Sequence, residues 1–192
     1  MRALPLLTLL LPLLASCERS PTGATPEETT LAFELRLGDD GAWEPFSARG
    51  QQPAGTSFVT PGPWVYTGQN GSNVVLFANH ETDNGWRRFH VIVSLRPEFE
   101  SVGLGDAGAG TCPGPEGRPC TFVSVWFESS AGIGEVCRVH EGLLVRTRNR
   151  PDRVSGQFSG TGICTRDGTT RSFAIRAGAF DVALPPPAPA PG

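Results

Sequence analysis

Residues 143–177 read LLVRTRNRPDRVSGQFSGTGICTRDGTTRSFAIRA, and this stretch decides the fold because two turns interrupt its apolar residues. The first turn is RPDR at residues 150–153, and an even loop centred there pairs residues whose numbers sum to 303. On the apolar face, this register pairs Val145 with Phe158, Leu143 with Gly160, and Thr147 with Gly156. On the opposite, polar face, it pairs Arg148 with Ser155 and Arg146 with Gln157.

The second turn is Asp167-Gly168, a dipeptide typical of tight β-hairpins, and it pairs residues whose numbers sum to 335. The predicted pairs are Phe173 with Gly162, Ile175 with Gly160, and Ala177 with Phe158. The two registers are independent, yet both place Val154, Phe158 and Cys164 on the buried face. Together they predict a three-stranded antiparallel meander in the C-terminal third of the chain.

Alternation of apolar and polar residues continues on both sides of this meander. Past Ala177 the apolar positions change from odd to even numbers, which predicts a β-bulge at Gly178. Upstream, a period of two marks strands with one buried face. The apolar positions of three such strands are Leu31, Phe33, Leu35 and Leu37; Phe89, Val91, Val93 and Leu95; and Val123, Val125 and Phe127. No segment has helical periodicity, so the sequence predicts an all-β fold over residues 30–184, a single antiparallel β-sandwich or barrel-like domain.

The N-terminus has the features of an export signal that ends in a cysteine. A short positive start and an apolar run of residues 4–14 precede Leu14-Ala15-Ser16-Cys17. This tetrapeptide resembles the lipobox of bacterial lipoproteins. The resemblance implies that residues 1–16 are a signal peptide, that Cys17 is lipidated (palmitate among its acyl chains), and that the chain is held on a membrane. The alternative is an ordinary signal peptide with a free cysteine nearby.

Polar and proline-rich segments flank the predicted domain. Residues 17–29 are predicted to be a lipidated N-terminus and flexible tether, because Cys17 is followed by the polar sequence ERSPTGATPEET. Residues 185–192 have the sequence PPPAPAPG and are predicted to be a disordered tail. The residue after the lipobox cysteine is Glu18 and not an aspartate. By the resemblance, this indicates the bacterial cell envelope and, within it, the outer membrane.

Four cysteines remain after Cys17, and an even number in an exported chain predicts two disulfides. Zinc is the alternative, but no C-x-x-C pair is present. Cys137 shares its parity with Val139, and Cys164 lies on the predicted buried face, so we expect a Cys137–Cys164 bridge. Cys112 and Cys120 would then close a small loop.

The C-terminal strands carry a second resemblance. RVSGQFSG at 153–160 and AGAFDV at 177–182 are similar to a pattern in small all-β bacterial lipoproteins of unassigned function, with Gln157 in place of the usual Thr. That resemblance implies a compact antiparallel sheet. Gly41-Ala42-Trp43 also echoes the G-x-W that opens lipocalin barrels.

Composition and motifs exclude several functions. The net charge of −3 is unlike that of a general nucleic-acid binder. The sequence has no G-x-S-x-G elbow, and His80, His90 and His140 have no metal-ligand spacing, so we expect no enzyme, cofactor or metal site. A catalytic or metal group built on His80, Glu81 and Asp83 is the alternative to a simple turn there.

The candidate binding surface is a set of arginines, Arg146, Arg148, Arg150 and Arg153. Arginine suits bidentate capture of carboxylate or phosphate, so an anionic glycan, a lipid or an envelope protein is the candidate partner. The alternative is a solvated face that guards a sheet edge.

The four tryptophans have two interpretations, as core aromatics or as the lining of a ligand site. They are Trp43, Trp64, Trp86 and Trp126. The expected function is a non-enzymatic binding or structural β-domain on a lipid anchor, with a lipocalin-like carrier of a small apolar ligand as the alternative.

Overall fold

The computed structural model describes residues 29–50, 64–70, 72–83, 85–105, 120–129 and 132–184. The predicted signal peptide, Cys17, Cys112 and the proline-rich residues 185–192 lie outside the described residues. Within them the chain is all-β, as predicted, with one short 3-10 helix at Pro97–Phe99. The described residues include no helix with the length and hydrophobicity of a membrane-spanning segment.

Eleven strands are present in the described ranges. They are β1 (Thr30–Leu37), β2 (Trp43–Arg49), β3 (Val65–Asn70), β4 (Asn73–Thr82), β5 (Gly85–Ser94), β6 (Ser101–Leu104), β7 (Cys120–Thr121), β8 (Val123–Ser129), β9 (Gly132–Arg150), β10 (Arg153–Arg166) and β11 (Thr169–Ala183).

The strands form one sheet that is nearly closed and barrel-shaped. Its order is β2-β1-β11-β10-β9-β8-β5-β4-β3, with antiparallel neighbours throughout. The short strand β6 pairs with the second half of β9, where β8 has ended, and pairs in parallel with β7. The barrel-like alternative of the predicted fold is therefore the one observed.

The terminal strands of the sheet are β2 and β3, and a few hydrogen bonds bridge the seam between them. Val65 N donates to Gly50 O at 2.9 Å, which joins β3 to the end of β2. Farther along the seam, the His80 ring nitrogen Nδ1 lies 2.9 Å from Ser47 O and 3.2 Å from Ser47 N. A side chain on β4 thus engages edge groups that a neighbouring strand would otherwise bind.

The barrel interior is filled by side chains. The three alternating sets predicted from the sequence lie in β1, β5 and β8, except that Leu95 comes directly after the end of β5. The central members of each set are almost fully buried. Phe33 is the centre of the aromatic core, with ring centroids 4.4 Å from Phe46, 5.0 Å from Phe89 and 5.7 Å from Phe158. Phe180 continues this cluster, 6.5 Å from Phe158.

The C-terminal meander is confirmed, and its second register is correct over most of its length. Gly162 pairs with Phe173 and Gly160 with Ile175, as predicted. The register then shifts, so that Phe158 faces Gly178 and not Ala177. The extra residue is Ala177, with a φ of +51°, so the bulge lies one residue before the predicted position.

The first register is correct only next to its turn. Ser155 faces Arg148 as predicted, but the register shifts at Thr147, and the next pair is Gly156 with Arg146. Phe158 therefore faces Leu144 rather than Val145, Gln157 faces Val145 rather than Arg146, and Gly160 faces Gly142 rather than Leu143. The bulged residue reverses the parity of β9, so Leu144 is buried while Leu143 is 49% exposed.

Two cysteines are joined as expected. Cys137 and Cys164 face each other directly across β9 and β10, are both fully buried, and form a disulfide. Cys120 is also disulfide-bonded, and its predicted partner Cys112 lies outside the described residues. The Cys137–Cys164 bridge fixes the register of β9 and β10 beyond their second bulge, at His140.

Close backbone contact between β9 and β10 makes Gly162 sensitive to substitution. A Cβ at Gly162 would lie 1.9 Å from Arg138 O, whereas one at Gly134 would meet nothing nearer than 4.0 Å. We expect Gly162→Ala to lower the free energy of unfolding by about 2–3 kcal/mol, because backbone cannot move aside cheaply. Urea denaturation checks this, with Gly134→Ala as the matched control, and equal stabilities of the two variants would contradict the observed register.

Candidate functional site

The barrel has two chemically different ends. At the mouth, defined by the β1–β2, β4–β5, β8–β9 and β10–β11 connections, four pairs of sequential strands are joined by short links. At the base lie Thr29, the turn of residues 150–153, and Leu184. The mouths of β-barrels are common ligand sites, because backbone and side chains from many strands converge there.

At the mouth, charged residues occupy the strand positions that continue the inward-facing alternation of the core. Glu44 shares its parity with Phe46 in β2, and Arg87 shares its parity with Phe89 in β5. Glu135 in β9 and Arg171 in β11 stand in the same relation to Cys137 and Phe173. These four residues were not predicted from the sequence, although a charged residue that continues a buried alternation of period two is a signal that could have identified them.

Two ion pairs hold these four side chains in place. Arg171 donates from Nε to Glu135 Oε1 at 2.7 Å and from Nη2 to Glu135 Oε2, and the Glu135 side chain is only 8% exposed. Hydrogen bonding to Glu135 raises the pKa of Arg171, and the charge of Glu44 adds to this effect. Arg87 donates to Glu44 and lies over the Phe127 ring, 5.3 Å from its centroid.

A groove of about 440 Å³ opens beside these pairs. It runs from β5 across β8 and β9 to the β10–β11 hairpin. Trp86 and Phe127 provide aromatic surface, and the charged lining comprises Asp83, Arg87, Glu128, Glu135, Arg166 and Arg171. This volume is within the range of small-ligand sites, and the mixture of aromatic surface with oriented charges suits binding of a polar molecule.

The candidate arginine surface is not assembled as the sequence predicted. Because of the bulge at Thr147, Arg146 turns inward and is 5% exposed, donating to the carbonyl oxygens of Ser94 and Arg96. Arg153 is also 5% exposed and binds Asp181. Arg148 and Arg150 are exposed. The four arginines therefore do not share one surface, and two of them have structural contacts at the base.

Asp181 is the acceptor for two of these base contacts. Arg153 Nε donates to Asp181 Oδ1 at 2.6 Å, and Ser155 Oγ donates to the same oxygen at 2.5 Å. Burial acts to raise the pKa of Asp181, but the hydrogen bonds from Arg153 and Ser155 outweigh it, so the pKa is lowered. The carboxylate form is therefore the one that the folded protein stabilises.

The lowered pKa of Asp181 predicts a defined pH dependence. Its stabilisation is complete above the ordinary pKa of 3.8 and is lost as the pH falls through the folded-state value. We expect Asp181→Asn to be about 0.5–1 kcal/mol less stable near neutral pH, because the half-exposed carboxylate is partly screened. We expect this gap to narrow as the pH falls below 3.8. Thermal unfolding across pH measures this, and a gap that is constant with pH would contradict it.

The histidines have separate surroundings. His80 bridges the seam, and its ring lies 5.3 Å from Phe46. His90 stacks on Phe77, with centroids 4.3 Å apart, and burial lowers its pKa. Among the described residues no three His, Cys, Asp or Glu side chains are grouped so as to hold a metal. Asp83 lines the mouth groove, but His80 and Glu81 do not.

The tryptophans are also dispersed. Trp86 lines the mouth groove, whereas Trp43 lies on the outer face with the guanidinium of Arg176 4.1 Å from its ring centroid. The interior that a lipocalin-like carrier would need for its ligand is occupied by Phe33 and the rings around it. The described geometry therefore favours binding at the mouth over binding inside the barrel.

No family model, curated protein or solved structure matches this chain.

The Arg171–Glu135 pair is open to a direct stability test. Arg171→Met leaves the buried Glu135 carboxylate without its guanidinium, and we expect a loss of about 2 kcal/mol, less than for a fully buried pair. Replacing both residues with Met should recover most of the loss, because no buried charge is then left. Urea denaturation of the two single variants and the double variant measures the coupling. A double variant that is as unstable as the sum of its parts would contradict the pairing.

Proposed function

We propose that this chain is a lipoprotein of the bacterial cell envelope, anchored at the outer membrane through acylated Cys17, and that its barrel is a non-enzymatic binding domain. The binding surface in this proposal is the mouth, and the partner is a polar molecule or an exposed part of another envelope component. The lipobox-like Leu14-Ala15-Ser16-Cys17 supports the anchor, and the oriented charges and aromatic groove support the binding role.

One observation carries the proposal: both ends of the described chain lie at the base, opposite the mouth. Thr29 Oγ1 accepts a hydrogen bond from Ala183 N at 3.1 Å, and Gly50 N donates to Thr29 O at 2.7 Å. Leu184 N donates to Asp152 O, in the base turn, at 2.8 Å. Thr29, which the sequence assigned to the tether, is thus fully buried and belongs to the barrel.

This placement gives the anchor a functional consequence. The residues between Cys17 and Thr29 would join the lipid to the base, so the mouth would point away from the membrane that holds the protein. A flexible tether of the predicted length, a dozen residues, would have a root-mean-square length of roughly 20 Å, enough to separate the base from the headgroups. The groove would then remain open to partners in the surrounding compartment.

The anchor is tested by replacing the acylated cysteine. We expect Cys17→Ala to move the protein from the membrane fraction to the soluble fraction and to abolish incorporation of radiolabelled palmitate, because the acyl chains supply the membrane affinity. Ser20→Ala, a matched change in the same segment, should leave both unchanged. A Cys17→Ala protein that stays in the membrane fraction, beside a wild type without label, would contradict the proposal.

A further inference from the structure

The geometry points to a short peptide with a free amino end and a free carboxyl end as the ligand of the mouth groove. The inference rests on the proposed function, in that it assigns a ligand class to the same surface. It follows from the order of charges along the groove, in which Asp83 lies at the β4–β5 end and Arg166 and Arg171 lie at the β10–β11 end.

The charges that line the groove sum to zero. Three are cationic (Arg87, Arg166 and Arg171) and three are anionic (Asp83, Glu128 and Glu135). A ligand with net charge of either sign is attracted at one end and repelled at the other. A dipolar ligand, with an ammonium near Asp83 and a carboxylate near Arg166, is attracted at both ends.

The two ends differ in how their groups are held. Asp83 is exposed at the end of β4. The Arg166 side chain is 69% exposed, and its 3.7 Å contact with Asp167 is too long for a good hydrogen bond. Arg171 uses Nε and Nη2 to bind Glu135, so its Nη1 donors take no part in that contact and its guanidinium has a fixed orientation. A guanidinium held in this way loses little conformational entropy on binding a carboxylate.

The length of the groove selects the length of the ligand. Strands β5, β8, β9 and β10 are consecutive neighbours, so about 14 Å separates the first from the last, at about 4.8 Å for each spacing. An extended chain of four residues spans at most about 13–14 Å. A tetrapeptide can therefore place its two ends at Asp83 and Arg166.

Aromatic groups line the β5 and β8 part of this span. Phe127 on β8 is covered on one side by the Arg87 guanidinium, and Trp86 on β5 lines the same groove. Arg87 is fixed at its far end by Glu44, so this surface is preorganised. An apolar side chain in the amino-terminal half of the peptide would bury its surface here, and the charged ends would set the direction of the peptide.

Isothermal titration calorimetry of the wild-type chain with the tetrapeptide Gly-Phe-Gly-Gly tests the inference. We expect measurable binding of the peptide with free ends, and affinity about threefold to tenfold weaker for both its N-acetylated form and its C-amidated form, because each modification removes one charge contact. Asp83→Asn should weaken the free peptide but not the acetylated one. Arg166→Gln should weaken the free peptide but not the amidated one.

Matched controls lie at the base, where the turn carries the same residue types. Asp152→Asn and Arg150→Gln change exposed charges at the opposite end of the barrel and should leave the affinity for the free peptide unchanged. Equal affinity for the free and modified peptides, no binding of any of the three, or equal effects of mouth and base variants would overturn the inference. Membrane fractionation of the wild type and of Cys17→Ala tests the anchor separately. A failure of peptide binding can therefore be distinguished from a failure of the proposed anchor.

Discussion

Phe33 contacts three other phenyl rings inside the barrel, and the sheet is arranged around this contact. Its partners Phe46, Phe89 and Phe158 come from β2, β5 and β10, so the sheet must curve until these strands face one another across the interior. Burial of large aromatic side chains is among the strongest favourable terms in folding. The same packing leaves the described interior filled, which restricts binding to surfaces.

The charged mouth is a consequence of where this core ends. Strand positions that carry phenylalanine, valine or cysteine in the core are continued at the mouth by Glu44, Arg87, Glu135 and Arg171. Charges in half-buried positions need partners, and the two ion pairs supply them. The base has different contacts, in which Arg146 and Arg153 bind carbonyl and carboxylate oxygens and both ends of the described chain are tied to the sheet.

Most of the fold was predictable because its period of two is regular and its core residues are apolar. The alternation at Leu31, Phe33 and Leu35 identified a strand, and the shared face of Cys137 and Cys164 identified the disulfide. The register of β9 was not predictable from its turn alone. Its residues 143–145 are all apolar, so nothing local distinguishes the inward Leu144 from the exposed Leu143 once a bulge is inserted at Thr147. That single residue moved Arg146 from the predicted binding surface into the barrel.

The candidate site was hidden for a different reason. The residues of its groove come from six strands and the β4–β5 link, and strand pairing brings them together from distant parts of the sequence. The four arginines of the predicted surface are, in contrast, close neighbours in sequence. The arginines were predicted as a site because they are close in sequence, whereas the residues of the mouth are brought together by the topology of the sheet. The only local indication that Glu44 and Arg87 belong to the barrel end was their spacing of two residues from the buried Phe46 and Phe89.

The claim that joins the anchor to the site is that the mouth points away from the membrane. Energy transfer from a fluorophore at the mouth turn (Asp167) or the base turn (Asp152) to acceptors in the lipid headgroups measures it most directly. Strand β10 links the two turns and has 14 residues, so the two positions are separated by roughly 35 Å along the barrel axis. In vesicles carrying the acylated protein, we predict clearly higher transfer from Asp152 than from Asp167. Equal transfer, or higher transfer from Asp167, would contradict the account.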